Sequence, residues 1–137
     1  MGSEAFDGVA SNLVLTDLDH LEETFLAVHR VLRPGGWFAF ATLDPCFASP
    51  RGGLVEPESE GVSLAHYFEE GRWLPEDENR LLARIGWYHR TLSTIVNSLT
   101  EAAFVIERVA EPGAERQVAS LSVPSVLVVR SIWRRLS

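Results

Sequence analysis

Residues 6–43, FDGVASNLVLTDLDHLEETFLAVHRVLRPGGWFAFATL, run from one apolar segment through an amphipathic stretch and a Pro-Gly-Gly stop into a second apolar segment. That succession is the pattern of a strand-helix-strand unit, and it restricts the chain to an α/β arrangement. In the first segment, residues 8–15, Val9, Leu13 and Leu15 fall on one alternating set and Ala10 and Val14 on the other, interrupted only by Ser11 and Asn12. A strand apolar on both sides is expected to be covered on both sides, as parallel strands between helices are. Asp19, with Glu22 three residues on, suits a capping-box-like helix start. Leu21, Phe25, Val28 and Leu32 then form one apolar stripe. Arg30 and Arg33 meet the negative end of that helix, Pro34 forbids its continuation, and Gly35 suits a left-handed closing turn. Residues 37–43 resume as a second strand, joined to the first by a right-handed crossover.

The rest of the chain is read against that unit. Residues 44–80 carry Pro45, Pro50, Pro57 and Pro75 among glycines, serines and glutamates, and are expected to form a long acidic loop or lid with one short helical turn near 64–68. Residues 80–88 fit a helix end or a short strand equally. Thr91 suits the cap of a helix whose stripe is Leu92, Ile95, Val96, Leu99 and Ala103. Residues 104–109 read as a strand, 113–122 as a polar connection, 124–130 as a β-branched final strand, and 131–137 as a frayed end. The domain plan is therefore a single unit over 1–137, divided into 6–43, 44–80 and 81–130.

At 137 residues and 46% hydrophobic content, the chain suffices for one domain with a real core. Twelve basic against nineteen acidic residues give a net charge of -7, which argues against nucleic acid as a partner. The excess is local, because eight acids and only one base, Arg72, lie between Glu56 and Glu78. Cys46 is the only cysteine, so no internal disulfide forms and a reducing compartment is the default. No apolar run approaches the ~20 residues that a membrane helix needs, and no signal peptide is visible. These features lead to the expectation of a cytoplasmic protein without a membrane partner.

The pattern FDxVxSNxVL, followed at this distance by RVLRPGGxFxF, resembles strand four, the next helix and strand five of the class I S-adenosylmethionine-dependent methyltransferases. WYHRTLSTIVNSLTEAAFVIERVAEP is similar to the helix and strand six of small-molecule members, and VPSVLVVR to strand seven. The resemblance implies the C-terminal half of a Rossmann-like sheet, with strands in the order four, five, seven, six, the seventh antiparallel, and flanking helices. It implies S-adenosylmethionine as cofactor of the complete domain. The glycine-rich GxGxG loop of the family is absent from the sequence, so weak or no cofactor binding is expected of this chain alone. Relatives have Ala-Gly-Phe where this chain has Ala102-Ala103-Phe104. A left-handed Ala103 costs roughly 1–2 kcal/mol, unless the helix ends by another route.

Methyl transfer from a sulfonium is an in-line displacement, so the protein mainly aligns donor and acceptor and, for a hydroxyl or amine acceptor, takes up a proton. The resemblance places Asn12 and Leu13 at the methionine end of the cofactor; alternatively Asn12 bonds the adjoining loop. It places Tyr88-His89-Arg90 beside the acceptor, with His89 as the candidate base; alternatively His89 and Arg90 pair with the acidic loop or cap neighbouring carbonyls. Asp44, directly after the second strand, and Trp73 complete the candidate acceptor pocket with Tyr88 and Arg90. Asp44 is also an ordinary turn starter before proline, and Trp73 also suits a role in pinning the loop. Asp17, Asp19 and His20 offer too few ligands for a metal, and none is expected.

Two functions follow. One is the acceptor-binding half of a small-molecule methyltransferase, inactive without a cofactor-binding half; the other is a non-catalytic remnant serving as a dimerisation or interaction module. In either case the strand at 8–15 becomes a sheet edge, which proteins avoid leaving bare. A homodimer, or a separate N-terminal half, is expected to pair there.

Overall fold

The computed structural model describes residues 4–48, 53–54, 62–63, 66–74, 86–112, 116–118 and 121–134, and the structural statements below concern these. The central sheet contains β1 (Phe6–Asn12), β2 (Leu32–Leu43), β7 (Phe104–Ala110) and β10 (Val126–Trp133) in the order β1-β2-β10-β7. β1 runs parallel to β2, with Val9 opposite Phe38 and Asn12 opposite Ala41, whereas β10 is antiparallel to both β2 and β7. This is the expected order four, five, seven, six with the seventh strand reversed. Two helices, α1 (Leu21–Val31) and α2 (Leu92–Glu101), contact one another and pack on the sheet. Three two-stranded ribbons complete the description: β3 (Gly53–Leu54) with β4 (Val62–Ser63), β5 (Gly71–Trp73) with β6 (Trp87–His89), and β8 (Arg116–Val118) with β9 (Leu121–Val123).

The stripe read from the sequence is the one that is buried. Leu21, Phe25 and Leu32 are in the core, Val28 packs against it, and the Phe25 ring lies 5.8 Å from both Phe38 and Phe40. Phe104 joins them 5.7 Å from Phe38, and Ile95 and Leu99 close the layer from α2. Burying such side chains stabilises by about 1.5–3 kcal/mol each, which makes this layer the main source of cohesion.

Several expectations are corrected. The strands are apolar on both faces, but among the described residues the helices cover only one. β2 alternates buried Gly36, Phe38, Phe40 and Thr42 with exposed Trp37 and Leu43, while Val105 of β7, on the same side as Trp37, is also exposed. Asp19 does not cap α1. His20 holds that position without a side-chain bond, and the first turn relies on Glu22 and Glu23 meeting the positive end of the helix. α1 ends at Val31 and passes directly into β2 at Leu32, so Gly35 (φ 81°) makes its left-handed turn inside the strand segment and not at the helix end. The final strand does not fray after Arg130 but continues to Trp133. Ser131 is fully buried, its hydroxyl donates to the Phe38 carbonyl, and Leu127, Val129, Ser131 and Trp133 share the core-facing side. The polar connection after β7 contains the β8–β9 ribbon. Residues 66–68 form a turn, while 64–65, the stretch 80–85 and the tail 135–137 lie outside the described residues.

α2 starts as expected, with the Thr91 hydroxyl accepting from the Thr94 amide. It ends at Ala102, after which Ala103 takes the left-handed conformation at φ 64°. The absent glycine is therefore replaced by a strained alanine. No helix among the described residues is long and apolar enough to cross a membrane.

Candidate functional site

In an open α/β sheet, ligands collect beyond the carboxyl ends of the parallel strands. Here those ends are Asn12 of β1 and Leu43 of β2. Asn12 is exposed, and Leu13 after it sits at φ 55° with its side chain 43% exposed and its amide donating to the Ala41 carbonyl at 2.8 Å. A non-glycine residue held in this region stores strain of about 1–3 kcal/mol and recurs at ligand sites. The chain next makes a 3₁₀ turn (Leu15–Asp17) before α1.

Arg90 shapes that turn. Its guanidinium donates to the carbonyls of Leu15 at 3.0 Å and Asp19 at 2.8 Å, and also to that of Leu18. Burial lowers its pKa, against the opposing pull of Asp19 and Glu70, without threatening its charge. The Tyr88 ring lies 5.5 Å from the guanidinium carbon. Arg90 thus holds the backbone that borders the site, while Asp19 faces His20 across 3.8 Å at the surface.

His89 is 2% exposed and its Nε2 donates to the Tyr67 carbonyl at 2.7 Å. A carbonyl carries no proton, so this bond fixes the proton on Nε2 and leaves the lone pair of the neutral ring on Nδ1. Trp73 stands opposite Trp87 in the β5–β6 ribbon and donates from its indole to the Glu69 carbonyl at 3.1 Å.

Asp44 lies just beyond β2 and is 1% exposed. Its Oδ1 accepts the Cys46 amide at 2.9 Å, whereas its Oδ2 has no hydrogen-bond partner. Burial, with the neighbouring Glu111 carboxyl as a further cause, raises its pKa above the ordinary carboxylate range. Burial also raises the Cys46 thiol and the Tyr67 phenol, which are electrostatic neighbours.

Two clefts meet at Tyr88-His89-Arg90. One is a small cavity of about 20 Å³ between Leu15, Thr42, Pro45, Trp87 and Ile95, room for about one water. The other is an open cleft of about 570 Å³ with Asp19, His20 and Glu22 on one side and Glu70, Gly71 and Arg72 on the other. His89, Tyr88 and Arg90 therefore come together, Asn12 and Leu13 stand at the adjoining strand end, and Asp44 and Trp73 do not line either cleft. Glu70 and Tyr67 were not singled out in the sequence. The Glu70 carboxylate accepts from the Thr91 amide at 2.8 Å and the Thr91 hydroxyl at 2.7 Å. Partial burial works to raise its pKa, but the hydrogen bonds from Thr94 and Thr91 outweigh that and lower it. An acidic run reads as a solvated face, and only the adjacency of Thr91 to a helix start could have hinted at the pairing.

Comparison with known proteins gives a consistent picture. A family model described as a methyltransferase domain matches residues 1–40. An uncharacterised protein of Haemophilus influenzae is 27% identical over 112 residues, covering 78% of this chain and 43% of that protein. A solved S-adenosylmethionine-dependent methyltransferase from Mesorhizobium loti is 29% identical with a TM-score of 0.78, over 95% of this chain and 62% of the other. The Burkholderia thailandensis 1,6-didemethyltoxoflavin-N1-methyltransferase, solved with its acceptor and S-adenosylhomocysteine, shares the fold at a TM-score of 0.60 and 18% identity, over 98% of this chain and 47% of its own length. The chain thus spans between about two fifths and three fifths of the length of these relatives. With the strand order four, five, seven, six and the likeness to the Mesorhizobium enzyme both in place, this chain has the fold of a class I S-adenosylmethionine-dependent methyltransferase domain, and its first 40 residues match the methyltransferase-domain model.

Proposed function

We propose that this chain forms the acceptor-side half of an S-adenosylmethionine-dependent methyltransferase acting on a small molecule in the cytoplasm, and that by itself it transfers no methyl group. The observation that carries the reading is the open cleft beside Tyr88-His89-Arg90, which shares those three residues with the small cavity at the carboxyl end of β2. The size of the cleft, about 570 Å³, falls within the range of small-ligand sites. The small-molecule acceptor of the Burkholderia enzyme supports the same class.

In this reading Asn12 and the Leu13 backbone border the methionine end of the cofactor. His89, with Nδ1 unprotonated, takes the acceptor's proton as the methyl group moves. Tyr88 walls the cleft, and Arg90 keeps the 15–19 backbone in place. S-adenosylmethionine would supply the electrophilic methyl group. The sequence contains no GxGxG segment of the kind that grips the cofactor in the family, and on this reading the chain alone transfers no methyl group.

β1 is the sheet edge and pairs only with β2 among the described residues, and Phe6, Leu13 and Val14 near it are more than 40% exposed. Together with the uncovered apolar face at Trp37 and Val105, this favours a partner that adds a strand to β1 and a layer to that face. A polypeptide carrying the cofactor-binding half meets both needs. A homodimer through β1 is the second reading, with the chain as an interaction module.

Calorimetric titration with S-adenosylhomocysteine is expected to show no binding by the chain alone and binding after addition of a polypeptide carrying the glycine-rich half. Micromolar affinity of the chain alone overturns the division of labour. A dimeric mass in light scattering at high concentration favours the second reading, and a monomer removes it.

A further inference from the structure

Residues 66–74 run as a strap along one side of the larger cleft, which Glu70, Gly71 and Arg72 line. Its β5 segment pairs with β6 and the Tyr67 ring lies 5.8 Å from that of His89, while the hydrogen bonds of its Tyr67 and Glu70 side chains converge on the first turn of α2. The Tyr67 hydroxyl accepts the Leu92 amide at 2.9 Å, and the Glu70 carboxylate takes the amide and hydroxyl of Thr91. The first amides of a helix have no partner within it, so these two side chains complete the helix start from outside. Tyr67 also neighbours Cys46, three residues beyond the end of β2. The strap carries few apolar anchors: Phe68 is 86% and Leu74 56% exposed. A segment fixed by a handful of polar contacts opens at much lower cost than one fixed by a buried core.

We propose that residues 66–74 form a movable wall of the acceptor cleft, latched to the first turn of α2 by Glu70 and Tyr67, and that releasing the latch widens the cleft and exposes the half-buried Cys46 further. The role as a wall for the acceptor rests on the methyltransferase reading above; the latch itself does not. Widening then requires the Glu70 carboxylate to leave Thr91, and closure restores both the helix cap and the Tyr67 carbonyl that fixes the His89 proton. Opening of this kind falls in the microsecond to millisecond range that gates many enzymes.

Cys46, the only cysteine, is a built-in reporter. Alkylation with iodoacetamide under native conditions is expected to be at least about tenfold faster in Glu70→Ala than in the unaltered chain, an increase equivalent to the loss of about one such hydrogen-bonded contact. Glu70→Gln, which retains an acceptor oxygen, should fall between the two. Glu70 does not bond Cys46, so its removal reports opening and not a change in thiol chemistry. Hydrogen exchange on the same variants should lose protection at the Thr91 and Leu92 amides while β2 and β10 stay protected. Unchanged alkylation in Glu70→Ala overturns the latch, as does loss of protection spreading through β2 and β10, which signifies global unfolding. Neither readout involves methyl transfer, so failure here leaves the proposed activity standing, and an inactive chain leaves the latch standing.

Discussion

The unit over residues 6–43 and the strap over 66–74 are held by opposite means. The first is fastened by Phe25, Leu32, Phe38 and Phe40, all at most 1% exposed, whereas the second is fastened by the His89 side chain of β6 donating to the Tyr67 carbonyl and by Tyr67 and Glu70 accepting from Leu92 and Thr91 at the start of α2. Apolar burial is non-directional and accumulates with area, so it yields a rigid platform. Polar bonds exchange with water at small net gain, so they yield an element that moves without unfolding the rest. A cleft built where the two meet has one side fixed at the start of α1, by Asp19 to Glu22, and the other formed by the strap.

The sharpest test of this contrast is Phe25→Ala. Its ring touches both Phe38 and Phe40 at 5.8 Å and is fully buried, so its removal is expected to cost about 3–5 kcal/mol in denaturant unfolding. A loss below about 1 kcal/mol would show that the platform is not organised around this layer. Next in size is Arg90, the polar seam between the two regions. Arg90→Ala strips three backbone carbonyls of their donor and is expected to cost about 2–3 kcal/mol and to loosen exchange protection across 15–19. Arg90→Lys should recover less than half of that, because an ammonium lacks the planar fork that spans the three acceptors. Full recovery by lysine would mean that charge alone holds the turn.

How far the sequence revealed these regions follows from the same contrast. Alternation and a 3.6-residue stripe report burial, and they located β1, α1, β2 and α2 because those elements face a core. They failed where burial was carried by a polar residue: Ser131 and the arginines after it disguised the last turn of β10, which is buried through Ser131 and Trp133. They also could not tell that one sheet face lacks helical cover, since apolarity on both faces states a requirement and not what meets it. Arg90 was legible as part of a motif, but its acceptors are carbonyls 71–75 residues away, and backbone carbonyls leave no trace in side-chain spacing. Asp19 was read as a cap on spacing alone, whereas in the fold its carbonyl serves Arg90 and its carboxylate faces His20.

At the junction, Asp44 gives a pH-dependent test. Its folded-state pKa is raised by burial, so the folded state is favoured at pH below the ordinary carboxyl value and loses ground as pH rises through the raised one. Asp44→Asn keeps an oxygen for the Cys46 amide and replaces the unpartnered Oδ2 with a neutral donor facing Glu111. The variant is expected to match the parent in acid and to be more stable by on the order of 1 kcal/mol at alkaline pH. A stability difference that stays flat or reverses with rising pH would show that Asp44 is not a desolvated carboxylate. If Asp44→Asn also weakens acceptor binding in the reconstituted enzyme, the unpartnered oxygen is retained for a ligand at the expense of stability.

The smallest expected effect concerns the end of α2, within the platform. Ala103 holds φ 64°, where its Cβ meets steric resistance of roughly 1–2 kcal/mol, and its amide is spent on the Thr100 carbonyl at 3.0 Å to close the helix. Glycine relieves the resistance but makes the unfolded chain more flexible, which returns about 0.4–1 kcal/mol. Ala103→Gly is therefore expected to stabilise by about 0.5–1 kcal/mol, seen as a rise in the denaturant midpoint with an unchanged slope. Cys46 alkylation in this variant should not change, because the strap is attached at the opposite end of α2. A variant less stable than the parent would mean that the alanine methyl, which packs against the core, contributes more than its backbone strain costs. The helix end would then belong with the apolar platform in energetics as well as in position.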